Sequence, residues 1–434
     1  MTSSPPLGAV VRRTPLLAPH WPLAVFFGGY VVLWALGVAS FALPVLAVPM
    51  LAGLSRRSDV RIPPGAGLYA LFVVWMLASA LALEQSADFL VFAYRASLYV
   101  AVGVVLVYVY NLPRREVPPE RLARLVALLW ITAAALGCVA IVAPTVSFTS
   151  PVELMLPQGL VGNEWVYDMV HPHMTEPSDF LGYDLGRPAA PFVYTNNWGS
   201  ALALATPLFV LAWLREPGRR RLAGVGLLAV AAVPVVYSLN RGLWLSLAIG
   251  LLYASVRLAA ARRLGVLVGL ACATLVVSLL LALSPLGDVV ADRLATPHSN
   301  QDRLSLYSET SARVRQAPLF GYGTPQDSAT DTGLPSVGTQ GQLWMVLFSH
   351  GVPGAVLFVG WLLSAWWRTR SVADPWAFWC HVTLLIAVVQ LPVYGFLPTS
   401  LAVVAVAAGL AAREQHAGAV VPPRAHRPRP ALVR

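Results

Sequence analysis

Lysine is absent from the 434 residues, so all 30 basic side chains are arginine. Charge of either sign is scarce, at 12% against roughly 25% in an average soluble domain. A chain that is also 57% hydrophobic, with a mean hydropathy of +0.67, excludes an ordinary soluble enzyme. The arginine bias itself reads as genomic composition and decides little about chemistry. Cysteine is nearly missing: Cys138, Cys272 and Cys380 each lie in an apolar run, far from the spacings that hold a metal or build a disulfide framework. No signal-peptide cleavage site is evident, because the apolar run from Trp21 is followed by many more rather than by a soluble domain.

What is present is long apolar stretches. A spanning helix needs about 20 mostly apolar residues, since lipid offers no partner for free backbone groups. Such runs fall near 21–37, 39–54, 66–83, 90–110, 122–143, 197–214, 222–238, 242–256, 264–284, 342–364, 376–392 and 396–412. The chain is therefore expected to be all-α and polytopic with about 12 spans. The stretch 21–54 is continuous, and Pro44 and Pro49 interrupt its second half; a long hairpin is the simplest parse. The expected organisation is a cytoplasmic tail 1–20, spans over 21–143, a loop 144–196, spans over 197–284, a larger loop 285–341, spans over 342–412, and a basic disordered tail 413–434.

Arginine placement orients these spans, because short cytoplasmic loops collect positive charge. With both termini cytoplasmic, 23 of the 30 arginines fall inside, Arg95 falls within a span, and only Arg187, Arg241, Arg293, Arg303, Arg313 and Arg315 fall outside. This distribution reads as membrane and not nucleic acid, in spite of the formal charge of +10. The tail 413–434 reads as an extension near anionic lipid. Both long loops are then extracytoplasmic. The first carries Glu153, Glu164, Asp168, Glu176, Asp179 and Asp184 against Arg187; the second mixes acids and arginines and is the better anion site.

Arg241 sits in the shortest external turn, YSLNRGLWLS, against the positive-inside pattern. It reads either as an interfacial snorkelling side chain or as a guanidinium held at a helix N-terminus, where dipole and bidentate geometry favour phosphate. The segment Ser299 to Gly323 reads as a helix capped near Asn300 to Asp302 and stopped by Pro318 and the Gly321/Gly323 turn. Arg303 and Tyr307, one turn apart, share a face, whereas Arg313 and Arg315 read as solvated charge. Arg95, in the fourth span, reads equally as an ion pair with Glu84 or Asp88 or as part of a polar cavity. His350 lies about 12 Å along its helix from Gln342 and is expected to be a packed neutral histidine. His171 and His173 read as an exposed loop pair without a third metal ligand, and His298, near Arg303, is a reserve for proton transfer. Asn196 and Asn197 open the sixth span, where capping and sugar binding explain them about equally.

The strings YTNNWGSALALATPL (194–208), YSLNRGLWLSLAIGLLY (237–253), QDRLSLYSETSARVRQAPLFGYG (301–323) and GTQGQLWMVLFSHGVPGAVLF (338–358), in this order, resemble the O-antigen ligase and O-antigen polymerase superfamily. The resemblance implies a GT-C-like membrane glycosyltransferase, free of cofactor and metal, in the plasma membrane of a bacterium. It would use a glycan carried on a polyprenyl diphosphate and an acceptor glycan or lipid, amid membrane lipids, and it allows a chain-length regulator as a further partner. The arginines thought to hold the lipid diphosphate in such proteins carry over to Arg241 and Arg303. Paired guanidiniums suit that role because cleavage of the anomeric C–O bond leaves a diphosphate. Arg95, Asn197, Tyr307, Gln340 and Gln342 are the expected substrate-binding residues. Ligase members carry a histidine near the end of the large loop, about eleven residues before the glycine that here is Gly351. This stretch instead reads Gly338, Thr339, Gln340, Gly341, Gln342. Glutamine cannot serve as a general base, which favours a polymerase-like member.

A transporter or flippase of a lipid-linked or anionic solute is the competing reading, since hydropathy alone allows it. It expects ionisable residues deep in several spans, and apart from Arg95 and His350 these are scarce.

Overall fold

The computed structural model describes residues 18–176, 186–215, 217–260, 298–328, 336–370 and 374–420. The expected span 264–284, with Asp179, Asp184 and Arg293, lies outside the described residues. The side chains of His298 and Arg303 also lie outside the description.

The chain begins as two helical halves that meet at Gly37. The first comprises α1 (Trp21–Leu23), a π-helical turn (Ala24–Gly28) and α2 (Tyr30–Ala35); the second is α3 (Ala39–Ser55), with both prolines inside it. Then follow α4 (Ala66–Ala78), continued by a 3₁₀ turn over Ser79–Ala82, α5 (Ser86–Asn111) and α6 (Pro119–Val142). The first long loop carries secondary structure where described. It folds into α7 (Pro151–Met155), α8 (Gln158–Val161) and α9 (Glu164–Val170), and a two-residue antiparallel pair, β1 (Thr175–Glu176) with β2 (Arg187–Pro188). This pair is a small departure from the all-α expectation. After it come α10 (Thr195–Leu214), α11 (Arg219–Tyr237), α12 (Arg241–Ala260), α13 (His298–Gln316), α14 (Gln342–Thr369), α15 (Pro375–Gln390) and α16 (Thr399–Val420).

Among the described residues six helices are long and apolar enough to cross a membrane, namely α5, α6, α10, α11, α12 and α14; shorter apolar helices accompany them. These make the chain a multi-pass membrane protein. Val45, Val48, Leu71, Val74, Val142 and Val356 stand exposed on the helix surfaces, as a lipid-facing exterior requires. Inside, small residues bring helices close. Helix α16 is alanine-rich and buried over residues 399–411, and a Cβ on its Gly409 would stand 2.8 Å from the Leu106 carbonyl of α5. Between α6 and α10, Trp130 stacks on Phe209 at 3.9 Å and Trp198 Nε1 donates to the Ala133 carbonyl at 2.9 Å.

The span expected at 342–364 is not continuous. Helix α14 breaks at Gly351, whose backbone is φ 69°, ψ −173°. Two features cause the break. Pro353 has no N–H to offer the Ser349 carbonyl, and the Val352 N–H turns away to Pro318 O at 2.8 Å, freeing the Phe348 carbonyl. Both carbonyls are taken up by the turn that follows α13: Tyr322 N donates to Phe348 O at 3.0 Å and Gly323 N to Ser349 O at 2.8 Å. Trp75 Nε1 lies 3.1 Å from both Leu319 O and His350 O. Irregular backbone in a membrane helix is tolerated only where protein satisfies it, and here residues 318–323 do so.

The last two helices are separated by residues 391–398 rather than by the three residues the hydropathy suggests. Pro398 disfavours helical geometry at Leu397, so α16 starts at Thr399.

Gly351→Ala should destabilise the protein sharply. Its Cβ would lie 2.2 Å from Leu319 O on left-handed backbone, which alone costs about 1–3 kcal/mol in a residue with a side chain. Thermal unfolding in detergent should show a clear fall in Tm, whereas Gly67→Ala, with open space around its Cβ, should leave Tm unchanged or higher. Equal Tm values for the two variants would contradict the stitched break.

Candidate functional site

The turn between α11 and α12 is fixed by Asn240, only 4% exposed. Its Oδ1 accepts from Leu243 N at 3.3 Å, capping α12, and from the Tyr394 hydroxyl; its Nδ2 donates to Thr195 O at 3.2 Å, at the start of α10. Arg241 follows directly, half-buried at the first position of α12. The close approach leaves no room for larger residues nearby: a Cβ on Gly199 would meet Asn240 Nδ2 at 2.6 Å, and one on Gly242 would meet the Tyr394 hydroxyl oxygen at 2.5 Å.

Tyr394 belongs to the loop 391–398, which also ties down α13 and the start of α14. The Pro392 carbonyl accepts from the Tyr307 hydroxyl at 3.2 Å and from Trp344 Nε1 at 3.1 Å, and the Tyr307 and Trp344 rings stack at 4.5 Å. Leu343 N donates to Leu391 O at 2.9 Å, and Gln342 N to Tyr394 O at 2.7 Å. The Gln342 amide is spent as well: its Oε1 accepts from Phe396 N at 2.8 Å and its Nε2 donates to the Tyr99 hydroxyl at 2.7 Å. With 0% exposure, Gln342 acts as a structural tie between α14, α5 and the loop. Gln340 is half-buried, and its Nε2 donates to Thr339 Oγ1 at 3.2 Å.

One turn before Tyr99 on α5 is Arg95. Among the described residues it forms no ion pair with Glu84 or Asp88, and its buried Nη1 has no hydrogen-bond partner. Instead it lies within electrostatic range of Tyr94, Tyr99 and Tyr194. Protein surrounds the guanidinium, yet the residue retains accessible surface. His350, 4% exposed, sits at the break of α14 among Phe72, Phe92 and Tyr99, with ring centroids 6.0, 6.4 and 6.0 Å away. The Ser79 hydroxyl donates to Met76 O at 2.6 Å, so at 2.8 Å it accepts from His350 Nδ1, which sets the tautomer.

The first loop covers the same end of the bundle. Trp165 of α9 meets Tyr94 edge-on at 5.5 Å. One turn later, Asp168 Oδ2 accepts from the Tyr194 hydroxyl at 3.0 Å. Burial raises the Asp168 carboxyl above the usual carboxylate range, while the Tyr194 hydrogen bond and His173 draw it partway back. Glu176 Oε2 accepts from Thr195 N at 2.9 Å, so α10 is capped from β1, and Arg187 pairs with the same oxygen at 3.2 Å. Asn196 and Asn197 are half-buried in the first turn of α10; the N-cap position belongs to Tyr194, so capping does not account for them.

The opposite end of the bundle gathers arginines. Arg114 and Arg413 flank the buried Glu414, each at 3.0 Å; Arg257 Nη2 donates to Arg370 O at 2.7 Å, and Arg61 contacts His416 at 2.6 Å.

Of the residues singled out in the sequence, Arg241, Tyr307, Gln342 and Arg95 are brought to one end and linked through the loop 391–398 and Tyr99. The backbone of Arg303 lies on α13 one turn before Tyr307. Two readings need correction. Arg313 is no solvated charge: it pairs with Glu309 at 3.2 Å and donates to Gln326 Oε1 at 3.1 Å, bracing α13 against the chain that follows. His171 and His173 are no exposed pair either. His171 Nδ1 contacts Glu153 Oε2 at 2.9 Å, and His173 bridges the carbonyls of His171 and Val193 at 3.0 and 2.9 Å. Sequence reasoning missed Asn240, Tyr394, Asp168 and Tyr194. The first adjoins Arg241 and was legible as a cap; the others depend on long-range packing.

Residues 226–359 match the O-antigen ligase family model, a segment that opens inside α11 and closes inside α14. It takes in the Asn240 turn, α12, α13 and the Gly351 break, and supports the O-antigen ligase and polymerase superfamily for this chain. None of the curated proteins matches the chain.

Gln342→Leu leaves the Tyr99 hydroxyl and the Phe396 N–H without their buried partner, a loss of about 1–3 kcal/mol. A measurable fall in Tm is expected. Parental stability would contradict the structural tie and return Gln342 to the substrate-binding residues.

Proposed function

We propose that the chain is a GT-C-like membrane glycosyltransferase, which transfers or polymerises a glycan from a polyprenyl-diphosphate donor at the extracytoplasmic face of a bacterial plasma membrane. The observation that carries this reading is the shared anchorage of two elements. The start of α12, which bears Arg241, reaches the loop 391–398 through Asn240 and Tyr394; α13, which bears Arg303, reaches it through Tyr307 and Pro392. Two external arginines on elements pinned to one eight-residue loop suit a single phosphorylated headgroup. The gathering of most other arginines at the far end supports the orientation.

In the reaction an acceptor hydroxyl attacks the anomeric carbon as its bond to the diphosphate oxygen breaks. Negative charge grows on the leaving diphosphate, where Arg241 and Arg303 act, since guanidinium donors fixed before the reaction need no reorganisation. Arg95 on α5 adds a third positive charge. Its buried, unpartnered Nη1 suits an anion that arrives with the substrate. Asn197, Tyr307 and Gln340 offer polar side chains that suit sugar hydroxyls.

Arg241→Ala and Arg303→Ala should each reduce polymer or glycoconjugate formation in membranes by about 100- to 1000-fold, the range for loss of one preorganised donor. Lysine at either position should fall between, keeping charge without the bidentate fork. Full activity in both alanine variants would reject the mechanism.

A further inference from the structure

We propose that Asp168 is the general base of this chain, taking the proton from the acceptor hydroxyl; this rests on the glycosyl-transfer reading above. The step balances. The acceptor oxygen forms its bond to the anomeric carbon, its proton passes to the Asp168 carboxylate, and the electron pair of the breaking C–O bond leaves with the diphosphate.

Geometry carries the assignment. Neither Gln340 nor Gln342 accepts a proton. His350 lies at the break inside α14, with its Nδ1 committed to Ser79. Asp168, by contrast, hangs over the same end of the bundle as Arg241 and the loop 391–398. Helix α9 is held there by Trp165 on Tyr94, the residue beside Arg95. Tyr194 connects the two charges, donating to Asp168 Oδ2 at 3.0 Å while lying within electrostatic range of Arg95. Asp168 Oδ1 makes no hydrogen bond among the described residues, and the residue is only half-buried, so this oxygen is open to an acceptor. Independently of the acids, the Nη1 of Arg95, beside Tyr94, is buried without a hydrogen-bond partner. The half-buried Asn197, three residues after Tyr194, is placed to hold the acceptor sugar.

The groups facing Asp168 are Glu164 on its own helix, His173 before β1, Glu176 on β1 with its partner Arg187, and Tyr194 at the start of α10. Tyr167, next to Asp168 on α9, stacks on His171, which pairs with Glu153. A carboxylate base works only when deprotonated, so the rate rises with pH through its own titration. Burial puts that limb above the usual carboxylate range, and the Tyr194 hydrogen bond, which favours the charged form, holds it down.

The test uses the full-length protein in membranes from cells lacking it, following glycan incorporation as a function of pH, and separately the retention of unsubstituted polyprenyl diphosphate by the purified protein. Asp168→Asn should lose about 100- to 10,000-fold in rate with the acid limb abolished and polyprenyl diphosphate retained as in the parent. Asp168→Glu should recover part of the rate. Tyr194→Phe should move the acid limb to higher pH. A merely structural carboxylate gives a different result: Asp168→Asn active with its acid limb intact, or Tyr194→Phe with the limb unmoved, overturns the assignment. Should Asp168→Asn fail to fold, the Asp168→Glu and Tyr194→Phe profiles decide. Inactive Arg241→Ala and Arg303→Ala beside an active Asp168→Asn would sink this inference alone, whereas activity in all three would sink the transfer reading itself.

Discussion

Inside lipid no water is at hand for a stray carbonyl, so every backbone group that leaves a helix must find a partner in the protein. This constraint organises the molecule. Two of the stretches that leave regular helix are the break at Gly351 and the loop 391–398. The segment 318–323 answers the first, through Tyr322 N, Gly323 N and Trp75. Gln342, Tyr307 and Trp344 answer the second. The large loop is therefore fastened to the membrane helices by bonds that hydrophobic burial alone would not specify, and α13 acquires a fixed place over α14.

The same bonds give the chemistry its rigidity. Arginine is mobile and loses rotamer freedom when fixed, so a diphosphate site needs its guanidiniums on elements that do not drift. Helix α12 begins at a buried asparagine that also grips α10 and Tyr394, and its first residue is Arg241. Arg95, one turn from the tie between Tyr99 and Gln342, sits on an equally constrained stretch. Its unpartnered nitrogen is expensive in isolation and is sensible where an anion is to be received. The first loop brings two acids, Asp168 and Glu176, to the start of α10.

Much of this was legible in the sequence. Hydropathy located the helices, because apolar length is a physical requirement of a span. Arginine placement marked Arg241 as an exception to the positive-inside pattern. The spacing of Arg303 and Tyr307 put both on one helix. What escaped has a common cause. Averaging apolarity over SHGVPG hides the break, although a glycine and a proline two residues apart are its local signature. Gln342, a polar residue opening a span, looks available in the sequence, and only packing shows that both ends of its amide are taken. Arg313 looked solvated on a helical wheel and is braced by Gln326, which follows the helix in the chain. Asp168 and Tyr194 are 26 residues apart, and no local pattern joins them.

The account stands on two arginine-bearing elements serving one phosphorylated headgroup. An experimental structure of the full chain with a polyprenyl-diphosphate-linked glycan bound tests this most directly. The diphosphate should lie between the guanidiniums of Arg241 and Arg303, with Arg95 below it. Density for the diphosphate elsewhere, or the two guanidiniums turned away from a common ligand, would contradict it.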